Sequence, residues 1–600
     1  MSGLIEPDSS GQRERQLTCS NLVADYFRNM RRGLPRPAET VAVSVLLAIG
    51  FYLRLTSLKG GLPFPSNVDE LVSNVMPATR VPITGVDREL MFYPGAYMYL
   101  CYLVFGTFHG FGNTLTEALR NNPTDLLLEA RTISAVASCL TLPALWLAGR
   151  HALGKLVALF ALALAATMFL PVAYAHMSVD DSLVTLAVTV CLLTTIAAMR
   201  TGHFGWLLGS GAAAGLALGA KYTGGFIMAA PLTALALHYK SEGLGQTLKK
   251  GILVGLAGVA VFAITTPYAF IHPHQFLHDL RVLNFINSHQ WAGEPEKHAS
   301  IYYLWSLSWG YGIPALAMTV IGFAMMLRRE RGLALVLLVP VSILLITSLT
   351  KATYFARFLL PAYPLMILAA AYASARIVRL ISERLPKGAA VAPALSVLVV
   401  ALVTANSLIH SLHFNKAWAR PSTYELAANW IQTNIPQNST IVVDRWLMPW
   451  WPSKSGNPGY RLVPRFSLAK QKLRDSNSII GEIVGLSYRS AKVETLNQFE
   501  QQRYCWVETS SSQAGRAANE PSLFPEAMRY YDTLHQSRGF LMYQASPYKD
   551  SQQLSPPQGP TKLNFDWATN NYPLSVERSG PLISIYWLKT CGKPPVKAAS

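Results

Sequence analysis

The stretch ALGKLVALFALALAATMFLP, residues 152–171, decides the fold class of this chain. Its only charged residue is Lys155, and its length matches the roughly 20 apolar residues that a helix needs to cross a bilayer. Similar stretches recur along the first two thirds of the sequence. The predicted transmembrane helices are 39–56, 128–148, 152–171, 181–199, 203–220, 222–239, 250–268, 302–327, 332–349, 356–375 and 388–410. The sequence therefore predicts an α-helical polytopic membrane protein with about eleven transmembrane helices.

Composition and charge agree with this prediction. Of the 600 residues, 51% are hydrophobic and 14% are charged, whereas a soluble domain carries about 25% charged residues. The net charge of +18 does not indicate nucleic-acid binding, because basic residues cluster in every second predicted loop, as in the cytoplasmic loops of membrane proteins. This alternation predicts a cytoplasmic N-terminus and an extracytoplasmic C-terminus.

Three regions follow from this topology. Residues 1–38 are predicted to form a basic cytoplasmic tail, and residues 39–412 a transmembrane domain whose first exterior loop is 57–127. The segment 92–108 is apolar enough to cross the membrane, but a crossing there would place every later basic loop outside. It is therefore predicted to be a juxtamembrane helix at the outer surface. Residues 413–600 are more polar and predict an extracytoplasmic domain.

The C-terminal region has the pattern of a small α/β domain. A helix is predicted over 422–435, where Pro436 stops it, and strands over 440–446, 538–544 and 581–588. Of the six cysteines, only Cys505 and Cys591 lie in this region. An exported domain favours a disulfide between them, and two unpaired thiols are the alternative.

Two adjacent carboxylates occur in FPSNVDELVSNV, residues 64–75, within the first exterior loop. Apolar residues recur there at helical spacing, so a helix is predicted with Asp69 and Glu70 facing away from the apolar stripe. Ser66 and Asp69 fit a capping box, which gives Asp69 a structural role. Alternatively, a carboxylate held ionised in a first helical turn can serve as a general base.

A second acidic pair begins the fourth predicted span, in YAHMSVDDSLVTL, residues 174–186. Capping of that span is the plain interpretation of Asp180 and Asp181. Both lie at the outer end of their span, on the same side of the membrane as Asp69, so a shared site is the alternative. His176 is interpreted as a hydrogen-bonding loop residue, because no set of metal-ligating residues surrounds it.

Cations also occur at the outer ends of predicted spans. Lys221 follows the fifth span, and Lys351, Tyr354 and Arg357 lie between the ninth and the tenth. Long basic side chains can extend to the membrane surface without any further function. Placed near the acidic pairs, however, these groups would suit a phosphate. No Walker loop and no glycine-rich nucleotide motif accompanies them, which argues against cytoplasmic ATP.

Taken in order, these motifs resemble the polyprenyl-phosphate-sugar-dependent glycosyltransferases of the GT-C fold. The likeness is to the protein O-mannosyltransferase-like superfamily, which includes the bacterial aminoarabinose transferase of lipid A. The stretch VDE at 68–70 resembles the first-loop motif whose Asp is catalytic, so the resemblance gives that role to Asp69. The segment FYPGAYMY at 92–99 is similar to an aromatic-proline segment of the family and adds Tyr93 and Tyr97.

The later motifs extend the resemblance. The stretch VDDSL at 179–183 resembles the second acidic motif, in which Asp181 matches better than Asp180. GLALGAKYTG, with Lys221, and YFARFLLPAYP, with Arg357, are similar to the segments near the lipid phosphate. The aminoarabinose transferase has an acidic-basic pair where this chain has Phe92 and Tyr93, which separates this chain from a metal site there and from a lipid A acceptor.

The resemblance implies an enzyme of a bacterial inner membrane. It would transfer a sugar, with inversion, from a polyprenyl-phosphate donor to an envelope glycan, lipid or protein at the outer face. Its partners are then the donor lipid, this acceptor and membrane lipids, with no nucleic acid. No cofactor is predicted, and assistance by a divalent cation stays open. The alternatives are a transporter, which would place charges near the membrane midplane, and a non-catalytic membrane scaffold.

Overall fold

The computed structural model describes residues 37–65, 67, 69–84, 92–238, 243–288, 293, 298–385, 388–444, 461–465, 490–548 and 571–595. The chain forms two compact units, Met1–Leu46 and Leu47–Ser600. In the first unit, the described residues begin a helix. The second unit contains every site discussed below.

Helices make up most of the chain before residue 435. The α-helices are α1 (Pro37–Leu55), α2 (Met76–Thr84), α3 (Ala96–His109), α4 (Thr114–Asn121), α5 (Pro123–Leu153), α6 (Lys155–Thr167), α7 (Phe169–Ala175), α8 (Asp181–Thr201), α9 (Phe204–Ala220), α10 (Ala229–His238), α11 (Leu244–Thr265), α12 (Tyr268–Ile271), α13 (Pro273–Asn287), α14 (Ala299–Leu307), α15 (Ile313–Arg329), α16 (Arg331–Leu349), α17 (Tyr363–Arg384), α18 (Gly388–Trp418) and α19 (Thr423–Asn434). Short 3-10 or π segments join several of them: Glu70–Val75, Tyr222–Met228, Ser308–Gly312 and Ala356–Ala362.

The predicted membrane helices are present as helices in the structure. By length and composition, eight helical stretches among the described residues could cross a membrane, and a ninth is the bent pair α6 and α7. The two remaining predicted spans correspond to shorter apolar helices, Phe204–Ala220 and Tyr222–Leu237. The prediction of a polytopic helical membrane protein is confirmed. Helix α3, over the segment predicted not to cross, has only 14 residues.

A buried arginine stabilises the break between α6 and α7, where the chain bends by 55°. A break in a helix leaves backbone carbonyls without their usual partners. Arg54 donates to two of them, with its Nη2 2.7 Å from the Ala165 oxygen and its Nη1 3.0 Å from the Ala166 oxygen. Ser411 donates to the next, that of Thr167, at 2.9 Å. The three backbone carbonyls before the bend therefore have hydrogen-bond donors, although the bend lies in an apolar segment.

The C-terminal part contains strands and helices, as predicted, and its strands form a mixed sheet. Its strands are β1 (Thr440–Val443), β2 (Arg461–Pro464), β3 (Trp506–Ser510), β4 (Gly539–Ala545) and β5 (Ile583–Leu588), and its helices after α19 are α20 (Val493–Gln501), α21 (Ser511–Asn519) and α22 (Pro525–Thr533). The order is β2-β1-β3-β5-β4, with β2, β1 and β3 parallel and the last two pairings antiparallel.

The helix predicted over 422–435 and the three predicted strands are found, and β2 and β3 are additional. Strand β3 has the sequence WVETS, and its polar residues do not fit the apolar pattern from which the other strands were predicted. All five of its residues are buried because apolar clusters cover both faces of the sheet. The boundaries between the three predicted regions stay predictions.

For Cys505 and Cys591 the sequence left two alternatives, a disulfide or two unpaired thiols. The structure has the disulfide. It joins the start of β3 to the end of β5, where these two strands are neighbours in the sheet. Cys101, Cys139 and Cys191 are buried thiols.

A buried carboxyl group lies in the same sheet. Glu508 of β3 is 1% exposed, and among the described residues neither of its carboxyl oxygens has a hydrogen-bond partner. Burial, and next the charge of Asp444, raise the pKa of Glu508 to about 8. The neighbouring Asp444 stays in an ion pair with Arg465, at 2.8 Å. Glu508 is therefore the group through which this part of the protein should respond to pH.

Replacing Glu508 with Gln should make the C-terminal part less sensitive to pH. The pKa of Glu508 in the folded protein is above its value of about 4.5 in the unfolded chain. The free energy of unfolding is therefore unaffected by this group below pH 4.5 and falls as the pH rises towards 8. The folding constant should fall by up to about tenfold per pH unit in this range. Glu508→Gln should unfold at a higher temperature than the wild type at pH 8 and at the same temperature at pH 4.5. Thermal unfolding across this range measures the difference, with Glu494→Gln, an exposed carboxylate in α20, as control. Parallel curves for Glu508→Gln and wild type would contradict the expectation.

Candidate active site

The segment that carries Asp69 is helical, but not as predicted. Residues Glu70–Val75 form a π-helix, and the carboxylate of Asp69 makes no capping hydrogen bond. The cap is instead the side chain of Asn67, whose Oδ1 accepts from the Asp69 backbone N–H at 3.0 Å. Ser66, the other half of the predicted capping box, lies outside the described residues. The carboxylate of Asp69 is thus available for another role.

The prediction that Glu70 faces away from the core is wrong. Its carboxylate is fully buried and forms a bidentate ion pair with Arg131 of α5, at 2.7 and 3.0 Å. Glu70 Oε2 also accepts from the Ser178 backbone N–H, at 3.0 Å. The π-helix lies between α5 and the turn before α8, so Glu70 and Asn74, predicted on its polar side, are buried. Val72, predicted on its apolar side, is instead 51% exposed. Glu70 fixes the helix that presents Asp69.

The carboxylate of Asp69 lies against Arg357 from the far end of the membrane region. Arg357 Nη2 donates to Asp69 Oδ2 at 2.8 Å, and the side chains are 12% and 31% exposed. Tyr93 is close to both: the charge of Asp69, followed by burial, raises the pKa of the Tyr93 hydroxyl above its usual range. A partly exposed carboxylate is accessible to a substrate and can accept a proton from it.

A second acid–cation pair forms at the start of α8. Lys221 Nζ donates to Asp181 Oδ1 at 2.7 Å and lies 3.7 Å from Asp180 Oδ1. The other oxygen of Asp180, Oδ2, is buried and has no hydrogen-bond partner among the described residues. Burial raises the pKa of Asp180 to about 6, against the lowering effect of Lys221. Asp181 is therefore occupied by Lys221, and Asp180 has an oxygen free to accept.

The two pairs belong to one site. The Lys221 ammonium lies 5.8 Å from the ring centroid of Phe358, the residue after Arg357. Arg357 interacts electrostatically with Asp181 as well as Asp69, and Asp180 interacts with Arg357. Residues from the first loop, from the start of α8 and from the segment before α17 therefore converge, as the sequence predicted.

Two predicted phosphate-binding residues lie elsewhere. Lys351 donates to Asn284 Oδ1 of α13 at 2.6 Å. Tyr354 is fully buried, and its ring is 4.6 Å from that of Tyr302 in α14. Spacing along the chain puts both near Arg357, but the chain between them bends, so their contacts are with α13 and α14.

Tyr97 and His176 have structural contacts. The Tyr97 hydroxyl is 2.7 Å from Ser134 Oγ in the buried face of α5. His176 is buried, with Nδ1 2.8 Å from the Val172 oxygen and Nε2 2.7 Å from the Thr56 oxygen. It is a hydrogen-bonding residue, in line with its interpretation from the sequence.

Sequence reasoning missed Arg131, which supports the site through Glu70. A signal existed, because Arg131 is a charge near the start of an apolar run, and such charges usually have a buried partner. For a divalent cation, the donor set does not fit: within the described part of the chain, no three His, Cys, Asp or Glu side chains are grouped closely enough to hold a metal ion.

Residues 123–270 match the family model of dolichyl-phosphate-mannose-protein mannosyltransferases. This segment includes the second acidic pair and Lys221. The match confirms, over this segment, the predicted resemblance to the protein O-mannosyltransferase-like glycosyltransferases. The helical architecture above is that of a multi-pass membrane protein. No curated protein matches the chain at a significant level.

Several solved structures are similar to this chain. The archaeal oligosaccharyltransferase AglB from Archaeoglobus fulgidus, in complex with an inhibitory peptide and a dolichol-phosphate, is 12% identical, with coverage of 92% of this chain and 88% of that one and a TM-score of 0.49. ArnT from Cupriavidus metallidurans bound to undecaprenyl phosphate is 14% identical, with coverage of 80% and 94% and a TM-score of 0.47. The Pmt1-Pmt2 complex of S. cerevisiae bound to the sugar donor is 17% identical, with coverage of 40% and 35% and a TM-score of 0.33.

Proposed function

We propose that this protein transfers a sugar from a polyprenyl-phosphate donor to a hydroxyl of an envelope glycan, lipid or protein. The observation that carries the proposal is the ion pair between Asp69 and Arg357, beside the Asp181–Lys221 pair. A glycosyl transfer from a lipid phosphate needs a base for the acceptor and cations for the leaving phosphate. This cluster supplies both.

Asp69 is the base in this mechanism. Its carboxylate accepts the proton of the acceptor hydroxyl while that oxygen bonds to the anomeric carbon. The bond from this carbon to the phosphate oxygen breaks on the opposite face, so the configuration inverts. Glu70, held by Arg131, keeps the π-helix and therefore Asp69 in place.

Arg357 and Lys221 stabilise the phosphate that leaves. Both are already paired with carboxylates, so the donor phosphate would compete for cations that the fold holds in position. Asp180 Oδ2 has no partner among the described residues, which suits a hydrogen bond from a sugar or acceptor hydroxyl. Asp180 then binds a hydroxyl, and Asp181 orients Lys221.

We place the protein in a bacterial inner membrane, with the active site and the C-terminal part at the outer face. The support is the recurrence of basic clusters in alternate loops. The disulfide in the C-terminal part fits an oxidising compartment.

The overall proposal is tested with purified protein in vesicles. A panel of undecaprenyl-phosphate sugars is offered, and release of undecaprenyl phosphate is followed by mass spectrometry together with the glycans of envelope extracts. One donor should be consumed with a glycosylated product. Cells that lack the protein should accumulate that donor. If no donor is consumed and none accumulates, the proposal is wrong.

Among the cations, Arg357 and Lys351 should differ in effect. Arg357→Gln removes a cation from the acidic cluster, and we expect kcat/KM for the donor to fall by about 10²–10³-fold, the usual cost of losing a transition-state charge partner. Lys351→Gln is the matched control, because Lys351 contacts Asn284 instead. Its activity should stay within about twofold of wild type. Equal losses in the two variants would contradict the assignment.

A further inference from the structure

The segment that carries Arg357 is held from one side by α13. Asn287, the last residue of α13, accepts hydrogen bonds from the backbone N–H groups of Ala352 and Thr353, at 3.0 and 3.2 Å. The backbone of 351–355 is not helical, so these bonds replace those that a helix would have made internally.

The same segment is held from the other side by α14. The hydroxyl of Tyr302 accepts from the backbone N–H of Ala356 at 3.1 Å, and both groups are buried. The ring of Tyr302 also packs on Tyr354. Since Ala356 precedes Arg357, this bond sets where the Arg357 side chain begins.

Gly293, between α13 and α14, contacts the C-terminal part. Its backbone N–H donates to Glu520 Oε2 at 2.7 Å, and its oxygen accepts from Asn519 Nδ2 at 2.8 Å, at the end of α21. The φ angle of Gly293 is +79°, and a methyl group on it would lie 2.5 Å from the Cβ of Arg516. Only glycine satisfies both the angle and the close approach.

The distances along the chain make this contact consequential. Gly293 is five residues from Ser288, just after α13, and five from His298, just before α14, and five residues reach at most about 18 Å. Fixing Gly293 therefore limits where both helix ends can go. We propose that the C-terminal part, by holding Gly293 against α21, positions α13 and α14 and through Tyr302 and Asn287 sets Arg357 against Asp69. In this role Gly293 and Tyr302 are positioning residues of the reaction proposed above, on which the inference rests.

The first test replaces Gly293 with Ala in the full-length protein. We expect hydrogen exchange of the backbone over 350–358 to speed up at least about tenfold and kcat to fall about tenfold, with KM for the donor changed less. Gly243→Ala is the matched control: Gly243 also has a positive φ, +90°, but nothing lies within 4 Å of an added methyl group. It should change neither quantity. Unaltered exchange over 350–358 in Gly293→Ala would overturn the inference.

The second test asks whether the effect passes through Arg357. Tyr302→Phe removes the acceptor of the Ala356 N–H. Both Gly293→Ala and Tyr302→Phe should lose activity in the wild-type background and lose little more in Arg357→Gln, because coupled residues are not additive. Additive losses would show a general structural role and overturn the inference. If exchange responds as expected but no variant, wild type included, transfers sugar, the positioning contact stands and the proposed function fails.

Discussion

Asp69→Asn should reduce sugar transfer by about 10²–10⁴-fold while the protein still folds. That range is the usual contribution of a general base. The amide keeps the shape of the side chain and can still accept a hydrogen bond from Arg357, but it cannot take the acceptor proton. Because the Asp69 side chain is 31% exposed, loss of its charge should cost little stability. Turnover in vesicles and thermal unfolding are the two measurements.

A matched control for this variant is Asp125→Asn. Asp125 is an exposed carboxylate in the first turn of α5 and bonds Asn122 at 2.6 Å. Its loss should leave turnover unchanged. The assignment of Asp69 as the base would fail if Asp69→Asn kept near-normal transfer, or if its activity returned to normal after correction for the folded fraction.

The adjacent carboxylate should behave in the opposite way. Glu70→Gln removes the negative partner of a fully buried arginine, and breaking such a pair costs about 3–5 kcal/mol. We expect low yield and a markedly lower unfolding temperature. Any loss of activity should follow the loss of folded protein. Expression level, unfolding temperature and activity per folded molecule measure these effects.

A double variant separates the charge from the packing. Glu70→Met with Arg131→Met removes both buried charges, and apolar replacements for such pairs are often tolerated. Recovery should be partial, because Arg131 also donates to the backbone oxygens of Leu58 and Gly60, at 2.9 and 2.7 Å. A Glu70→Gln protein as stable as wild type would refute the anchoring role.

The membrane architecture was predictable because it depends on local composition. A run such as 152–171 is apolar whatever it contacts in the fold. It can be recognised from the sequence even though the helix breaks at Met168. The π-helix at Glu70–Val75 was not predictable in the same way. Its sequence pattern fitted an α-helix with one solvent-exposed polar side. That side is buried at Glu70 because Arg131 of α5 and Ser178 pack against it.

Some members of the candidate site were predictable, but Lys351 and Tyr354 were predicted with them and lie elsewhere, and the pairing was not predictable. The predicted topology puts all of these five on one side of the membrane: Asp69, Asp180, Asp181, Lys221 and Arg357. That Asp69 meets Arg357, 288 residues away, is a property of the tertiary fold. The same applies to Lys351, which is six residues from Arg357 but bonds α13. The short polar strand β3 was not predicted for the same reason. It is buried by apolar residues of neighbouring elements, not by an apolar pattern of its own.

The covalent link across the C-terminal sheet has a practical consequence. It closes a loop between residues 86 apart, so the oxidised and reduced chains differ in mobility on a denaturing gel. The state of the two sulfurs in freshly lysed, alkylated cells thus records which compartment received this part of the chain, with no tag or fusion needed. Dithiothreitol should accordingly be kept out of any preparation used for activity measurements.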